Sequence, residues 1–282
     1  APPKRQPTAR FEQGKPVRVR IAYSKLGRAA FRGHLDLVRL LPRIFRRLDL
    51  PMFYSQGFHP KPDMTFGPAL PLGVASHAEF VDVKLIETPG LDEQAIRDRL
   101  LGASLESILF TDAAVLGPND AGIGKVIDTA RYAVGLPRAA LEALGVSDVD
   151  GLRRLIEERR NGALTVVRDA KGIKRTIQVG NYLRDVKVNA GSEALARAGI
   201  GGDLVSFTFE LAMTGQGGAR PSEVLQVLLG DAEIPARLVR MFLGKGELSP
   251  MQLDALRKLA LANDDQEDGE EASVGEAASS FC

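Results

Sequence analysis

The chain holds three histidines, all within residues 34–77: His34, His59 and His77. Imidazole titrates closest to neutral pH, so acid–base work, phosphate contact and metal ligation are all to be sought here first. His34 lies two residues ahead of Asp36 in Gly33-His-Leu-Asp36. At a helix start, such a pair can serve as general acid and base beside a phosphate, or it can fix the turn by local hydrogen bonds. His59 sits between Phe58 and Pro60, a setting that reads as exposed and aimed at a ligand. With Asp82 the three histidines form an acceptable ligand set by type, but no two have the short spacing of a metal motif, so no metal is expected. Ser55 and Ser76 lack a nucleophile elbow. Gly57, Gly67 and Gly73 lack the Gly-Lys-Ser/Thr ending of a phosphate loop.

Arginine carries the second kind of chemistry, bidentate capture of phosphate. Arg18 and Arg20 alternate with apolar residues in Val17-Arg-Val-Arg-Ile-Ala-Tyr-Ser-Lys25, and Arg39, Arg43, Arg46 and Arg47 follow at helical spacing. Together with Tyr54, Gln56, Phe58, His59 and Lys61 they form the expected RNA-contacting set, with Tyr23 as a stacking aromatic on the sheet. A further basic cluster gathers Arg168, Lys171, Lys174, Arg175, Arg184 and Lys187.

The net charge of +1 conceals an asymmetry: residues 1–62 hold fourteen Lys/Arg against three Asp/Glu, and residues 263–282 hold seven acidic residues and no basic one. A basic head of this kind points to a polyanion partner. The single cysteine, Cys282, excludes a disulfide framework, a thiolate zinc site and an iron–sulfur cluster built by this chain alone. No apolar run approaches the ~20 residues of a membrane span, and the N-terminus has no apolar core of a secretory signal, so a cytoplasmic setting is expected.

The elements that must position these residues follow from periodicity. Val17, Val19, Ile21 and Tyr23 alternate as a strand, and Leu37, Leu41, Ile44 and Leu48 form the apolar face of a helix from Gly33, bent at Pro42. Met52–Ser55 predicts a short strand, 56–73 a long Pro/Gly-rich loop, Ala78–Ile86 a strand, Leu91–Leu105 a helix and Ile108–Leu116 a strand. This order, β-α-β-(loop)-β-α-β, is that of the ferredoxin-like split unit. It then roughly repeats: a strand at Arg131–Leu136, a helix at Asp148–Arg160, a hairpin over 163–188, a strand at Leu204–Met213, a helix at Pro221–Leu229 and a strand at Ala236–Leu243. The expected class is α+β, with two tandem ferredoxin-like domains. A flexible basic arm occupies 1–16, the first domain 17–118, a linker 119–130 and the second domain 131–246. A helix at 247–262 and a disordered acidic tail at 263–282 complete the division.

Gly33-His-Leu-Asp36, Tyr54-Ser-Gln-Gly-Phe-His-Pro-Lys-Pro62, Leu70-Pro-Leu-Gly73 and Ser76–Asp82 resemble the bacterial radical SAM-linked proteins, found alone or fused behind a B12-binding radical SAM enzyme. The family usually has serine where this chain has Gly33. The resemblance implies association with a radical SAM partner and with RNA metabolism. S-adenosylmethionine, the iron–sulfur cluster and cobalamin are then expected only in the partner or fused domain, with no cofactor in this chain. The expected function is recognition of an RNA, tRNA first, for that partner, without catalysis by this chain. The alternatives are a metal-independent RNA endonuclease using His34 as general acid or base, and a protein-interaction scaffold for the radical SAM partner.

Overall fold

The structure is a computed structural model, described for residues 12–103, 107–170, 172–214, 218–230 and 234–260. Most of the expected basic arm, all of the acidic tail, and Lys171 lie outside the described residues.

The N-terminal half runs β1 (Pro16–Lys25), a 3₁₀ turn (Gly27–Phe31), α1 (His34–Arg47), β2 (Met64–Phe66), β3 (Ala75–Ile86), α2 (Glu93–Leu101) and β4 (Ile108–Leu116). Its strands lie in the order β4-β1-β3-β2, antiparallel throughout. The C-terminal half runs β5 (Thr129–Pro137), a 3₁₀ turn (Arg138–Leu144), α3 (Val149–Arg160), β6 (Thr165–Ala170), β7 (Ile173–Gln178), β8 (Leu183–Val188), α4 (Ser192–Arg197), β9 (Leu204–Ala212), α5 (Pro221–Leu229) and β10 (Arg237–Gly244). Its strands lie in the order β10-β5-β9-β8, again antiparallel, while β6 and β7 form a separate hairpin. Residues 250–260 form a further helix.

The two halves share one sheet. β10 runs parallel to β3 over Val239↔Ala75 and Arg240↔Ser76, while β2 pairs with β3 farther along, at Val81–Val83. The molecule is therefore a mixed α+β structure built on one largely antiparallel sheet.

Local chemistry explains the helix starts. The Asp36 carboxylate accepts from the Gly33 N–H at 2.9 Å, Asp92 from Ala95 N–H at 2.8 Å and Asp148 from Gly151 N–H at 2.7 Å. Each satisfies a donor that the helix itself leaves open. Alternation then decides the faces. Val19, Ile21 and Tyr23 pack beneath Leu41 and Phe45 of α1 and Ile96 and Leu100 of α2. Ala22 and Phe80, on the opposite face, join the core that α3 and α5 close with Leu152, Ile156, Val224 and Leu228. Each such buried large side chain contributes about 1.5–3 kcal/mol.

Several expectations change. Met52–Ser55 is not a strand: it makes only the isolated bridges Met52↔Leu85 and Tyr54↔Pro62, and the ladder on β3 is taken by Met64–Phe66. The segment expected as a linker is packed, with Ile123 fully buried and Val126 and Ile127 in the core. The long second arm of the expected hairpin is broken at Val179–Asn181 by a 3₁₀ turn, so β7 and β8 are separate strands. The helix α4 was not expected, because its six residues are too short to show a period.

Candidate nucleic-acid interface

α1 presents its arginines outward. Leu37, Leu41, Ile44 and Phe45 turn to the core, which leaves Arg39, Arg43, Arg46 and Arg47 exposed on the opposite side. Arg28 and Arg32, just before the helix, are exposed as well. Among the described residues none of these six side chains has a hydrogen-bonding or ion-pair partner. Unpaired guanidinium groups on one helix form a positive surface suited to phosphate oxygens.

The loop from Tyr54 to Pro62 is tied at its base and open at its tip. Gln13 donates to the Tyr54 carbonyl and accepts from the Tyr54 N–H, both at 2.8 Å. Ser55 N–H donates to the Lys61 carbonyl at 2.8 Å, and Lys61 N–H donates to Ser55 Oγ at 3.1 Å. Tyr54 itself is half-buried against the core of the N-terminal half. Beyond that base, Gln56, Phe58, His59 and Lys61 are exposed, Phe58 by 68%.

Two members of the expected set belong elsewhere. Arg20 is fully buried: Nε and Nη2 donate to Asp82 at 2.7 and 2.9 Å, Nη1 to both oxygens of Asp254 at 3.1 and 3.0 Å, and Nη2 to the Ala121 carbonyl at 2.8 Å. Asp82 also accepts from Ile123 N–H at 2.7 Å. Arg18 donates to the carbonyls of Gly117 and Asp120 at 2.8 and 2.7 Å. Both arginines therefore fasten segment 117–123 to the sheet, and Arg20 also holds the helix at 250–260 through Asp254. Burial pushes the Asp254 carboxyl up, against the pull of Arg20. Arg20 is thereby closed off from a polyanion, and the Arg18 Nη2 is taken by two backbone carbonyls. Tyr23 is buried as well, so the sheet offers no stacking platform there.

The second basic cluster is largely neutralised. Arg168 makes a two-pronged pair with Glu223, with Nε and Nη2 at 2.6 and 2.7 Å from its two oxygens. Arg184 lies 3.9 Å from Glu210, and Lys187 lies 3.3 Å from Asp185. Lys174 and Arg175 remain exposed on β7, and Lys171 lies outside the described residues. Burial would raise the Glu223 carboxyl, but Arg168 and the Arg220 N–H hold it below its ordinary range.

The histidines stay apart. His34 is exposed and meets Phe66 edge-on, ring centroids 5.0 Å apart. His77 Nε2 lies 2.9 Å from the Ala194 carbonyl oxygen, across the sheet junction. Asp36 is occupied at the Gly33 N–H rather than turned to His34. Among the described residues no group of three or more His, Cys, Asp or Glu is placed to hold a metal ion, and no helix is long and apolar enough to cross a membrane.

Sequence reasoning missed a buried ionic centre under Pro68. Arg240 is fully buried, its Nε donating to Glu79 at 2.9 Å, its Nη2 to the same oxygen, and both Nη groups to the Pro68 carbonyl at 3.1 Å. Lys25, at the end of β1, is buried beside it. The signal was available: Lys25 falls in the same alternation phase as Val19, Ile21 and Tyr23, so it points inward.

Comparison with known proteins adds a family and little more. Residues 18–219 match the model of a family described as uncharacterized protein conserved in bacteria, DUF2344. No curated protein matches. Among solved structures, a chain from the crystal structure of a Cbf5-Nop10-Gar1 complex is 12% identical, with a TM-score of 0.37 over 79% of this chain. The match spans 48% of that chain's length.

Proposed function

We propose that this chain, which belongs to the bacterial family DUF2344, is an RNA-recognition module, with tRNA its first candidate ligand. One observation carries the reading: six exposed arginines, Arg28, Arg32, Arg39, Arg43, Arg46 and Arg47, have no partner among the described residues. Phosphates of a structured RNA lie along α1, and the exposed Phe58, His59 and Lys61 meet a particular feature of the ligand. The strand order β4-β1-β3-β2, met again as β10-β5-β9-β8, supports two ferredoxin-like units joined edge to edge. The partnership with a radical SAM protein, which would carry the cofactors and the chemistry, rests on the sequence motifs, and the cytoplasmic setting on the single cysteine.

The test is RNA binding across a salt titration by wild type and by a variant with Arg39, Arg43 and Arg46 all changed to Gln. Removing three arginine–phosphate pairs lowers the slope of log affinity against log salt by about 2–3. An unchanged slope in a folded variant refutes the interface.

A second reading, a scaffold for a protein partner, draws on Phe31 and Leu72, which are 70% and 68% exposed and line one open groove of about 980 Å³ where the halves meet. Under that reading Phe31→Ser and Leu72→Ser together abolish capture of the radical SAM partner and leave RNA binding intact.

A further inference from the structure

Lys25 closes β1 with 1% of its surface exposed. Lysines at that depth are almost always paired. Here, among the described residues, no hydrogen bond or ion pair engages the Nζ atom, which keeps a trace of open surface rather than lying fully enclosed. Glu79, the nearby carboxylate, is taken by Arg240. The Lys25 side chain instead lines a cavity of about 10 Å³, shared with Tyr23, His34, Phe66, Leu70 and Glu79. That is room for about one water molecule, or for the carbon and oxygen of one formyl group. His34 lines the same cavity and is exposed, so it stands at the mouth.

We propose that Lys25 is a nucleophilic amine that forms an imine with a small aldehyde entering this cavity past His34. The Nζ lone pair attacks the carbonyl carbon and the C=O π pair moves to oxygen. One proton passes from nitrogen to oxygen to give the carbinolamine. A second protonates its hydroxyl, which leaves as water while the nitrogen lone pair closes the C=N bond, and the iminium then gives up its N–H proton to leave the imine. Amine and aldehyde give imine and water, with no redox partner. His34, beside the incoming carbonyl, carries the proton.

The surroundings favour the reactive form. Tyr23 faces Lys25 from its own strand, Glu79 from β3, His34 from α1, Arg240 from β10, and Tyr132 of β5 lies against Arg240. Burial pushes the Lys25 ammonium below its ordinary range; Glu79 opposes the shift and Arg240 adds to it. A neutral amine is the nucleophile in imine chemistry, and desolvation is a known way to hold lysine in that form. This inference is independent of RNA binding.

The experiment uses the full chain with formaldehyde and cyanoborohydride near neutral pH, methylation of each lysine being followed by peptide mass spectrometry. Lys61, exposed and without a side-chain partner among the described residues, is the internal reference. Lys25 is expected to react about tenfold or more faster than Lys61, the ratio shrinking towards one as the pH approaches ~10.4, the ordinary lysine value. His34→Gln is expected to slow Lys25 and leave Lys61 unchanged. Lys25 reacting no faster than Lys61, or a ratio independent of pH, overturns the proposal.

Discussion

Replacing Arg20 with Met removes a cation that holds two buried carboxylates. Arg20 makes two bonds to Asp82, two to Asp254 and one to the Ala121 carbonyl, and its exposure is 0%. In the variant, Asp82 and Asp254 face each other with side-chain exposures of 8% and 1% and no counter-charge from Arg20. Breaking a buried pair from one side costs about 3–5 kcal/mol, because the uncompensated charge stays in a poor solvent. The triple variant Arg20→Met, Asp82→Leu, Asp254→Leu removes all the charges together. It leaves the Ile123 N–H and the Ala121 carbonyl without these partners, a residual of about 1–3 kcal/mol. Urea unfolding followed by circular dichroism reads both. The single variant should be the less stable of the two, and its deficit should shrink in acid as the carboxylates take up protons. A single-variant loss under about 1 kcal/mol, the value of an exposed pair, refutes the reasoning. So does a triple variant no better than the single.

Glu223→Gln should destabilise by about 1–3 kcal/mol at neutral pH, since it loses the charge in a two-pronged bond to Arg168. The folded-state carboxyl is held below 4.5, so the stabilisation is fully present above that value and disappears as pH falls through the lower folded-state pKa. Melting curves of wild type and variant should therefore converge in acid, and a constant gap would refute the assignment. Gly191→Ala should cost more than about 2 kcal/mol in urea unfolding, because the new Cβ would lie 2.7 Å from Thr208 Cγ2 and 2.8 Å from Ala133 Cβ at a φ of +85°. A neutral effect would show that α4 can lift from the sheet.

Elements with a strong local pattern were legible in the sequence: Ile108–Leu116 and Pro221–Leu229 match residue for residue, and α1 starts one residue after the expected Gly33. β2 was not, since three residues bounded by prolines carry no alternation that can be counted. Arg20 shows a deeper limit. Alternation tells which residues share a face, and it grouped Arg18 and Arg20 correctly. It cannot tell whether that face meets water. Here Asp82, segment 121–123 and Asp254, 234 residues away in sequence, cover it. The outward arginines of α1 were legible because the helix declares its own apolar stripe. The Lys25 cavity was half legible: the inward phase was visible, but its neighbours Glu79 and Arg240 come together only across the β3–β10 junction.

That junction also bears on how the protein is made. During synthesis the N-terminal half can assemble its four strands long before residue 237 is available, yet the first residues of β3 then lack their ladder partner. Glu79 lacks its cation as well, 161 residues later in the chain. An open edge beside an unpaired carboxylate invites wrong pairing, while the carboxylate's charge discourages dry association there. Contacts of such long range form slowly. The nascent chain therefore carries its vulnerable edge until β10 is made, and a factor that shelters that edge would raise the yield of folded protein.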